Sequence, residues 1–477
     1  MSIEQDMEAG ENRLQEEIRE PLIQSGGDGA SKGTKEPPCM VYFSTFVAVC
    51  GAFSFGSCIG FSSPTQSAIR KELDLSLAEY SLFGSILNFG AMIGAITSGT
   101  IANLIGRKEA MRISAICCIA GWFAIYFAEG ALSLDIGRLF TGYGIGVFSY
   151  VVPVFISEIA PKNLRGGLTT VNQVMICCGV AVSIIMGTVL TWRTLALTGL
   201  IPCFILVLGL FFIPESPRWL AKMGRQKEFA AALQKLRGKD ADIAQEAAEI
   251  QDNIETLENL PKAKLLDLFQ RRYLRSVMIG VGLMVIRQFG GINGIFFYVS
   301  HTFESVGFPA DVGSISFACL QVVGTALGAT LIDKAGRRPL LLVSASGVVF
   351  SCILVGTSFY LKVQDLASTV YPILAVTGLL MYIGFFSVGI GGTPWVIMSE
   401  IFPVNVEVVA GSLATLVNWI GAWAVTYTFN FLISWSSYGT FTIYAAINVL
   451  GILFIAKFVP ETKGRTLEEI QAAINNS

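Results

Sequence analysis

Six side chains built for neutral hydrogen bonding or flat contact stand inside apolar stretches of this 477-residue chain: Gln173, Gln288, Asn293, Gln321, Trp395 and Asn418. An amide donates and accepts at once and an indole offers a broad face, which is equipment for holding a ligand rather than for making or breaking bonds. Gln288 and Asn293, five residues apart, straddle a helical turn and address different edges of whatever lies between them. Charge is nearly missing from the same stretches. Arg138 and Arg287 lie deep within them, no Asp or Glu does, and Glu129, Asp135, Glu304 and Asp311 gather at their ends. A buried arginine is costly in hydrocarbon, so each of the two must face water, a partner or a ligand.

Reactive chemistry finds little support. The single histidine, His301, has no Cys or His cluster beside it, so neither a metal site nor a histidine-based nucleophile pair is available, and no phosphate-binding loop is visible. Neither an enzyme nor a resident cofactor is expected. Of ten cysteines, nine fall inside apolar runs and Cys39 at the edge of one; they read as small buried hydrophobes rather than a disulfide framework.

The elements that must position these residues follow from composition. Hydrophobic residues make up 53% of the chain and charged ones 14%, with net charge −2 and mean hydropathy +0.62. A water-soluble globule and a nucleic-acid partner are excluded, and the lipid bilayer becomes the expected surroundings. Twelve apolar stretches of membrane-crossing length are expected near 40–62, 79–102, 110–128, 133–156, 166–190, 194–213, 273–299, 311–333, 338–361, 370–398, 407–434 and 438–459. Glycine, at 49 positions, allows their backbones to approach closely. The tails and even-numbered connections carry 27 Lys and Arg against four in the odd-numbered ones, which predicts both termini in the cytosol.

The expected organisation is a disordered cytosolic tail at 1–38, a six-helix bundle at 39–213, a cytosolic linker at 214–272, a second six-helix bundle at 273–459 and a tail at 460–477. Within the linker, Ile243, Ala247, Ile250, Ile254 and Leu257 recur at helical spacing and predict short amphipathic helices. Three landmarks repeat about 240 residues on, the signature of a duplicated unit enclosing a midplane site: SEIAP at 157–161 with SEIFP at 399–403, PESPRWL with PETKGRT, and NLIGRK with DKAGRR.

Together with GRLFTG, RQFGGIN and GGTPWVIMSEIFP, these motifs make residues 40–470 resemble the sugar porters of the major facilitator superfamily. FGSCIGFSSPTQ, NQVMICCG and GSLATLVNW are similar to the plant early-responsive-to-dehydration-like monosaccharide transporters. The resemblance implies an all-α membrane protein with twelve transmembrane helices in two pseudo-symmetric bundles. It implies sugar contacts at Gln173, Gln288, Asn293 and Trp395, cavity-lining roles for Gln321 and Asn418, and an outer gate at Tyr298. Arg107, Glu158, Arg165, Glu215 and Arg218, matched by Arg337, Glu400 and Glu461, read as a charge network at helix ends whose pairing differs between two states of a carrier.

Four departures from the family pattern stand out. Asn103 replaces a usual aspartate, and Glu407 stands where the repeat of Arg165 would fall. Arg287 replaces the first of two glutamines; it either donates to sugar hydroxyls, favours a partly anionic substrate, or leans toward the helix ends. Cys58, in FGSCIG, takes the place of the aspartate that faces Arg138 in proton-coupled members. Without a buried carboxylate a facilitative hexose uniporter is expected, with glucose or fructose as cargo. The alternatives are proton coupling, through a Cys58 thiolate or His301, and a non-transporting sugar receptor. Leu22 and Ile23, after acidic residues, resemble a sorting signal read by an adaptor, which points to the vacuolar membrane rather than the plasma membrane.

Overall fold

The computed structural model describes residues 39–239, 241–259, 265–366, 368–403, 406–465, 469–470 and 474. The tail at 1–38, with its candidate sorting sequence, lies outside them, as does the side chain of Leu257. Among the described residues, twelve helices are long and apolar enough to cross a membrane: Cys39–Gly60, Leu77–Ile105, Arg107–Tyr126, Ala131–Ile159, Arg165–Gly187, Trp192–Gly209, Arg272–Ser305, Ala310–Ala335, Arg337–Val363, Tyr371–Ile401, Glu407–Trp435 and Ser437–Phe458. Numbered spans 1 to 12 in chain order, each overlaps its expected stretch. No strand occurs among the described residues. An even number of crossings returns the chain to the face on which it started, the terminal face.

Because lipid tails are as apolar as leucine, helices in a bilayer associate through close packing and interhelical hydrogen bonds instead of hydrophobic burial. Spans 2 and 4 illustrate the first device. A Cβ on Gly142 would lie 2.3 Å from the Leu87 carbonyl oxygen, and one on Gly146 would lie 2.2 Å from that of Ala91. Only glycine admits that approach. The two residues are one turn apart, so they form a continuous smooth stripe along span 4.

Three spans are interrupted, and the interruptions of spans 7 and 10 shape the polar interior. Span 7 breaks at Gly290–Gly291, where Gly291 has φ +101° and a Cβ would meet the Tyr444 ring at 2.5 Å. An L-residue there would be both strained and crowded. Span 10 breaks between Val388 and Thr393, with Pro394 opening its second piece. Proline lacks a backbone N–H and serves well at a helix start, where that donor is unpaired in any case. Each break releases backbone carbonyls at the depth of the bilayer, which is tolerable only where side chains satisfy them. The Gly290 oxygen accepts from Tyr382 Oη at 3.0 Å and from Asn448 Nδ2 at 3.4 Å.

Between spans 6 and 7 the expected amphipathic helices are present as Pro217–Lys222, Gln226–Arg237 and Ala244–Asn259. Trp219, Leu220, Phe229, Leu233 and Ile250 form their small core, with Ile243, Ala247 and Ile254 packed at its edge. The group docks on spans 1 to 6: Arg237 Nη1 donates to the Ile159 carbonyl at 2.9 Å, and its Nη2 pairs with Glu246 at 2.7 Å.

Candidate functional site

At the break of span 7 the side chains converge. Arg287 Nη1 donates to Asn418 Oδ1 at 2.7 Å and Nε to the freed carbonyl of Gly391 at 3.3 Å. Gln288 Nε2 donates to the same Asn418 oxygen at 2.6 Å, and Asn293 Nδ2 donates to Gln288 Oε1. The guanidinium carbon lies 5.9 Å from the ring centroids of both Trp395 and Phe386. Span 7, span 11 and both pieces of span 10 therefore meet in one polar patch near mid-depth, with an indole beside it. Gln288 and Asn418 are buried, Arg287 and Asn293 are half-buried, and Trp395 remains 37% exposed, so the patch has an open side.

Of the three readings left open for Arg287, leaning toward the helix ends is the one its contacts oppose. Its partners lie at the breaks of spans 7 and 10, and no described ion pair involves it.

Gln173 and Gln321 belong to a second place. Gln321 Nε2 donates to Cys177 Sγ at 3.6 Å, Cys177 lies 3.4 Å from Thr325 Oγ1, and Gln173 stands one turn before Cys177 on span 5. This patch joins span 5 to span 8. Gln321 Oε1 is buried with no partner, and Gln173 is exposed. No described hydrogen bond links the two patches.

Away from the terminal face, the halves are sewn together. Ser63 and Ser300 hydroxyls lie 2.9 Å apart, Asn88 Nδ2 donates to Thr426 Oγ1 at 3.0 Å, and Asn430 Nδ2 donates to Ser81 Oγ at 3.0 Å. Tyr298 plugs the seam: fully buried, it stacks on Phe429 at 5.4 Å, and its hydroxyl sits where a Cβ on Gly84 would be only 2.7 Å away. Its own backbone is kinked, at φ −132° and ψ 21°. Tyr298 was singled out through the family resemblance, whereas Asn88, Asn430 and Asn448 were overlooked. The signal that picks out Gln288 picks them out too, since each is an amide inside a span; here that signal marks helix-to-helix bonding.

Arg138, fully buried in span 4, enters no described ion pair. Its Nη1 donates to the Cys58 carbonyl at 2.7 Å and its Nη2 to Ser62 Oγ, and it lies 4.6 Å from the Phe83 ring and 5.1 Å from that of Phe61. Nε of Arg138 is buried without a partner. His301 is half-buried near the end of span 7.

On the terminal face the duplicated motifs build the same object twice. Arg107 grips Glu158 through Nε at 2.9 Å and Nη2 at 2.8 Å, while Glu215 accepts from the backbone N–H of Arg107 at 3.2 Å and Lys108 at 3.1 Å. Arg337 likewise pairs with Glu400 at 2.8 Å, and Glu461 accepts from the backbone of Arg337 and Arg338, each at 3.1 Å. Each Glu after the last span of a half thus caps a helix N-terminus, where orphan N–H groups favour an anion. Burial pushes the Glu215 carboxyl above the usual range; backbone N–H groups of Ser216 and Lys108 oppose this without reversing it. Burial also pushes Glu461 upward, but backbone N–H groups of Lys463, Arg337, Arg338 and Thr462 outweigh it and hold that carboxyl below the usual range. Asn103 sits 3.5 Å from Arg107 as a neutral acceptor where Asp333 makes a 3.3 Å ion pair with Arg337. Arg165 and Arg218 enter no described ion pair; Arg165 Nε is buried without a partner.

Residues 43–474 match the Sugar (and other) transporter family. The chain belongs to that family. It is 65% identical over 464 residues to Sugar transporter ERD6-like 7 of Arabidopsis thaliana, covering 97% of this chain and 100% of that one. It is 61% identical over 472 residues to Sugar transporter ERD6-like 16 of the same plant, covering 98% of each. Among solved structures, the inward-open xylose transporter XylE of E. coli superposes with TM-score 0.76 at 26% identity, over 91% of this chain and 99% of that one. The proton:xylose symporter XylE bound to 6-bromo-6-deoxy-D-glucose gives 0.74 at 27% identity, over 91% and 99%. The chain is an integral multi-pass sugar transporter with the major facilitator fold, of the ERD6-like group, and not an enzyme.

Proposed function

We propose that this transporter carries hexoses such as glucose and fructose by facilitated diffusion, through alternating access of two six-span bundles around the patch of Arg287, Gln288, Asn293, Asn418 and Trp395, with Gln173 and Gln321 on the facing wall. The observation that carries the uniport reading is the surroundings of Arg138. In the proton-coupled pattern this arginine faces an aspartate; here a carbonyl and a hydroxyl accept from it, two ring faces flank it, and residue 58 is a cysteine. A proton carrier must load and release a proton at working pH; a carboxylate does this best, and no Asp or Glu lies deep within the spans.

Radiolabelled hexose uptake into proteoliposomes, with and without an imposed pH gradient, tests this. Equilibration without accumulation in both conditions is expected; proton-driven accumulation above equilibrium overturns the uniport reading. One observation favours proton coupling as the second reading. Asp135 stands one turn before Arg138 on span 4, with Oδ1 buried and unpartnered. If accumulation is seen and Asp135→Asn abolishes it while equilibrative exchange persists, Asp135 is the coupling group.

The excess of basic residues on the terminal face supports cytosolic termini. With that orientation, the seam of Ser63–Ser300, Asn88–Thr426 and Asn430–Ser81 lies on the outer side and the paired arginines each bond within their own half, which supports an inward-facing carrier. Leu22 and Ile23 support a vacuolar membrane and recognition by a sorting adaptor. A fluorescent fusion carrying Leu22→Ala and Ile23→Ala is expected to move to the plasma membrane; an unchanged distribution removes that support.

A further inference from the structure

Arg287 presents a full positive charge to the ligand site with only dipoles and ring faces around it. Asn418 Oδ1, the Gly391 carbonyl and the faces of Trp395 and Phe386 are its described neighbours, and none of them carries a negative charge. Its Nη2 enters no described hydrogen bond, and the side chain is half-buried beside the part-exposed Trp395. Neutral acceptors hold the guanidinium in place without cancelling its charge, and in a region of low dielectric an uncompensated cation favours an anionic ligand strongly. The only other arginine deep within the spans, Arg138, is sealed off and bonded elsewhere. The ligand site therefore faces one positive charge, which matches a monoanion better than a phosphate carrying close to two negative charges.

We infer that the preferred ligands of this site include hexose-sized sugars bearing a single carboxylate, the hexuronates, with the carboxylate on Arg287 and the ring hydroxyls on Gln288, Asn293 and Asn418. This rests on the reading of the patch as the sugar site. A planar guanidinium with a free Nη2 suits a carboxylate, whose two oxygens match its fork, and a charge-assisted bond of this kind exceeds one to a hydroxyl. Asn418 fixes the fork's direction by occupying Nη1, and Gln288, bonded to the same oxygen, ties that direction to the amides that read the ring. Trp395 closes one side with an apolar face for the sugar's C–H surface.

The test uses the full-length protein in proteoliposomes preloaded with glucose, in which entry of labelled glucose by counterflow is inhibited by galacturonate or by its neutral counterpart galactose. For the native protein, galacturonate is expected to inhibit at concentrations at least about tenfold below galactose. In Arg287→Gln that ratio is expected to collapse to about one, and in Arg287→Lys, which keeps the charge but loses the fork, to an intermediate value. Native protein that exchanges glucose yet shows no galacturonate preference overturns the inference and leaves the sugar-carrier reading standing. A preference that survives in Arg287→Gln also overturns it. Native protein that exchanges neither neutral sugar strikes the carrier reading itself. The comparison within the native protein decides even where a variant fails to fold.

Discussion

The two halves of this transporter share one construction at the terminal face and part company at mid-depth. Arg107–Glu158 with Glu215, and Arg337–Glu400 with Glu461, are the same clamp built twice from repeated sequence. Deeper in, span 4 runs unbroken from Ala131 to Ile159 and hides its arginine against carbonyl, hydroxyl and rings. Spans 7 and 10 break, and the second half's arginine lies open beside amides and an indole. Duplication has preserved the helix-end machinery that both halves need. The mid-depth sites have diverged, because a break that frees backbone carbonyls is tolerable only where side chains such as Tyr382, Asn448 and Arg287 meet them.

The largest difference that mutation should expose lies in the clamps. Side chains of Arg107 and Glu158 are 9% and 11% exposed, against 13% and 27% for Arg337 and Glu400. Arg107→Ala leaves a nearly buried carboxylate unpaired and is expected to cost about 3 kcal/mol, with Arg337→Ala costing visibly less. Thermal unfolding in detergent measures both. Equal losses would erase the distinction between the copies.

Next comes the ligand patch. Asn418→Ala removes the acceptor shared by Arg287 and Gln288 and should weaken sugar binding by about thirtyfold, since two hydrogen bonds, one of them charge-assisted, lose their partner. Gln321→Ala loses a single weak bond to Cys177 and should weaken it by about threefold or less. Counterflow at graded glucose concentrations separates the two. A larger effect at Gln321 would move the centre of recognition to the interface of spans 5 and 8.

The smallest effect concerns pH. Glu215, held above the usual range, is favoured in its neutral form: that contribution is present in acid and lost as pH rises through the raised value. Glu461, held below, contributes as an anion: present at neutral pH, lost only as pH falls through its depressed value. Lowering pH equally on both sides of the membrane should therefore neutralise Glu215 before Glu461 and change the exchange rate by about twofold. Glu215→Gln should flatten that response, and Glu461→Gln should leave it in place. The reverse pattern would assign the acid response to the second clamp.

The amino-acid sequence by itself determined the twelve spans, because crossing a bilayer demands long apolar helices whose length and composition are local properties. It also placed Arg107, Glu158, Arg337 and Glu400 at helix ends of the two repeats, while which of the charged residues there pair, and that Arg165 and Arg218 enter no described ion pair, came from the structure. Tertiary structure decided what each amide is for. Gln288, Asn88 and Asn448 are alike in sequence, polar residues inside apolar runs, yet one joins the ligand patch, one stitches spans 2 and 11, and one satisfies the carbonyl freed at Gly290. That Arg138 is sealed, and toward which side Arg287 faces, was equally beyond the sequence. That direction depends on which helices break and on what the neighbouring spans bring alongside, and both are set by packing between segments far apart in the chain.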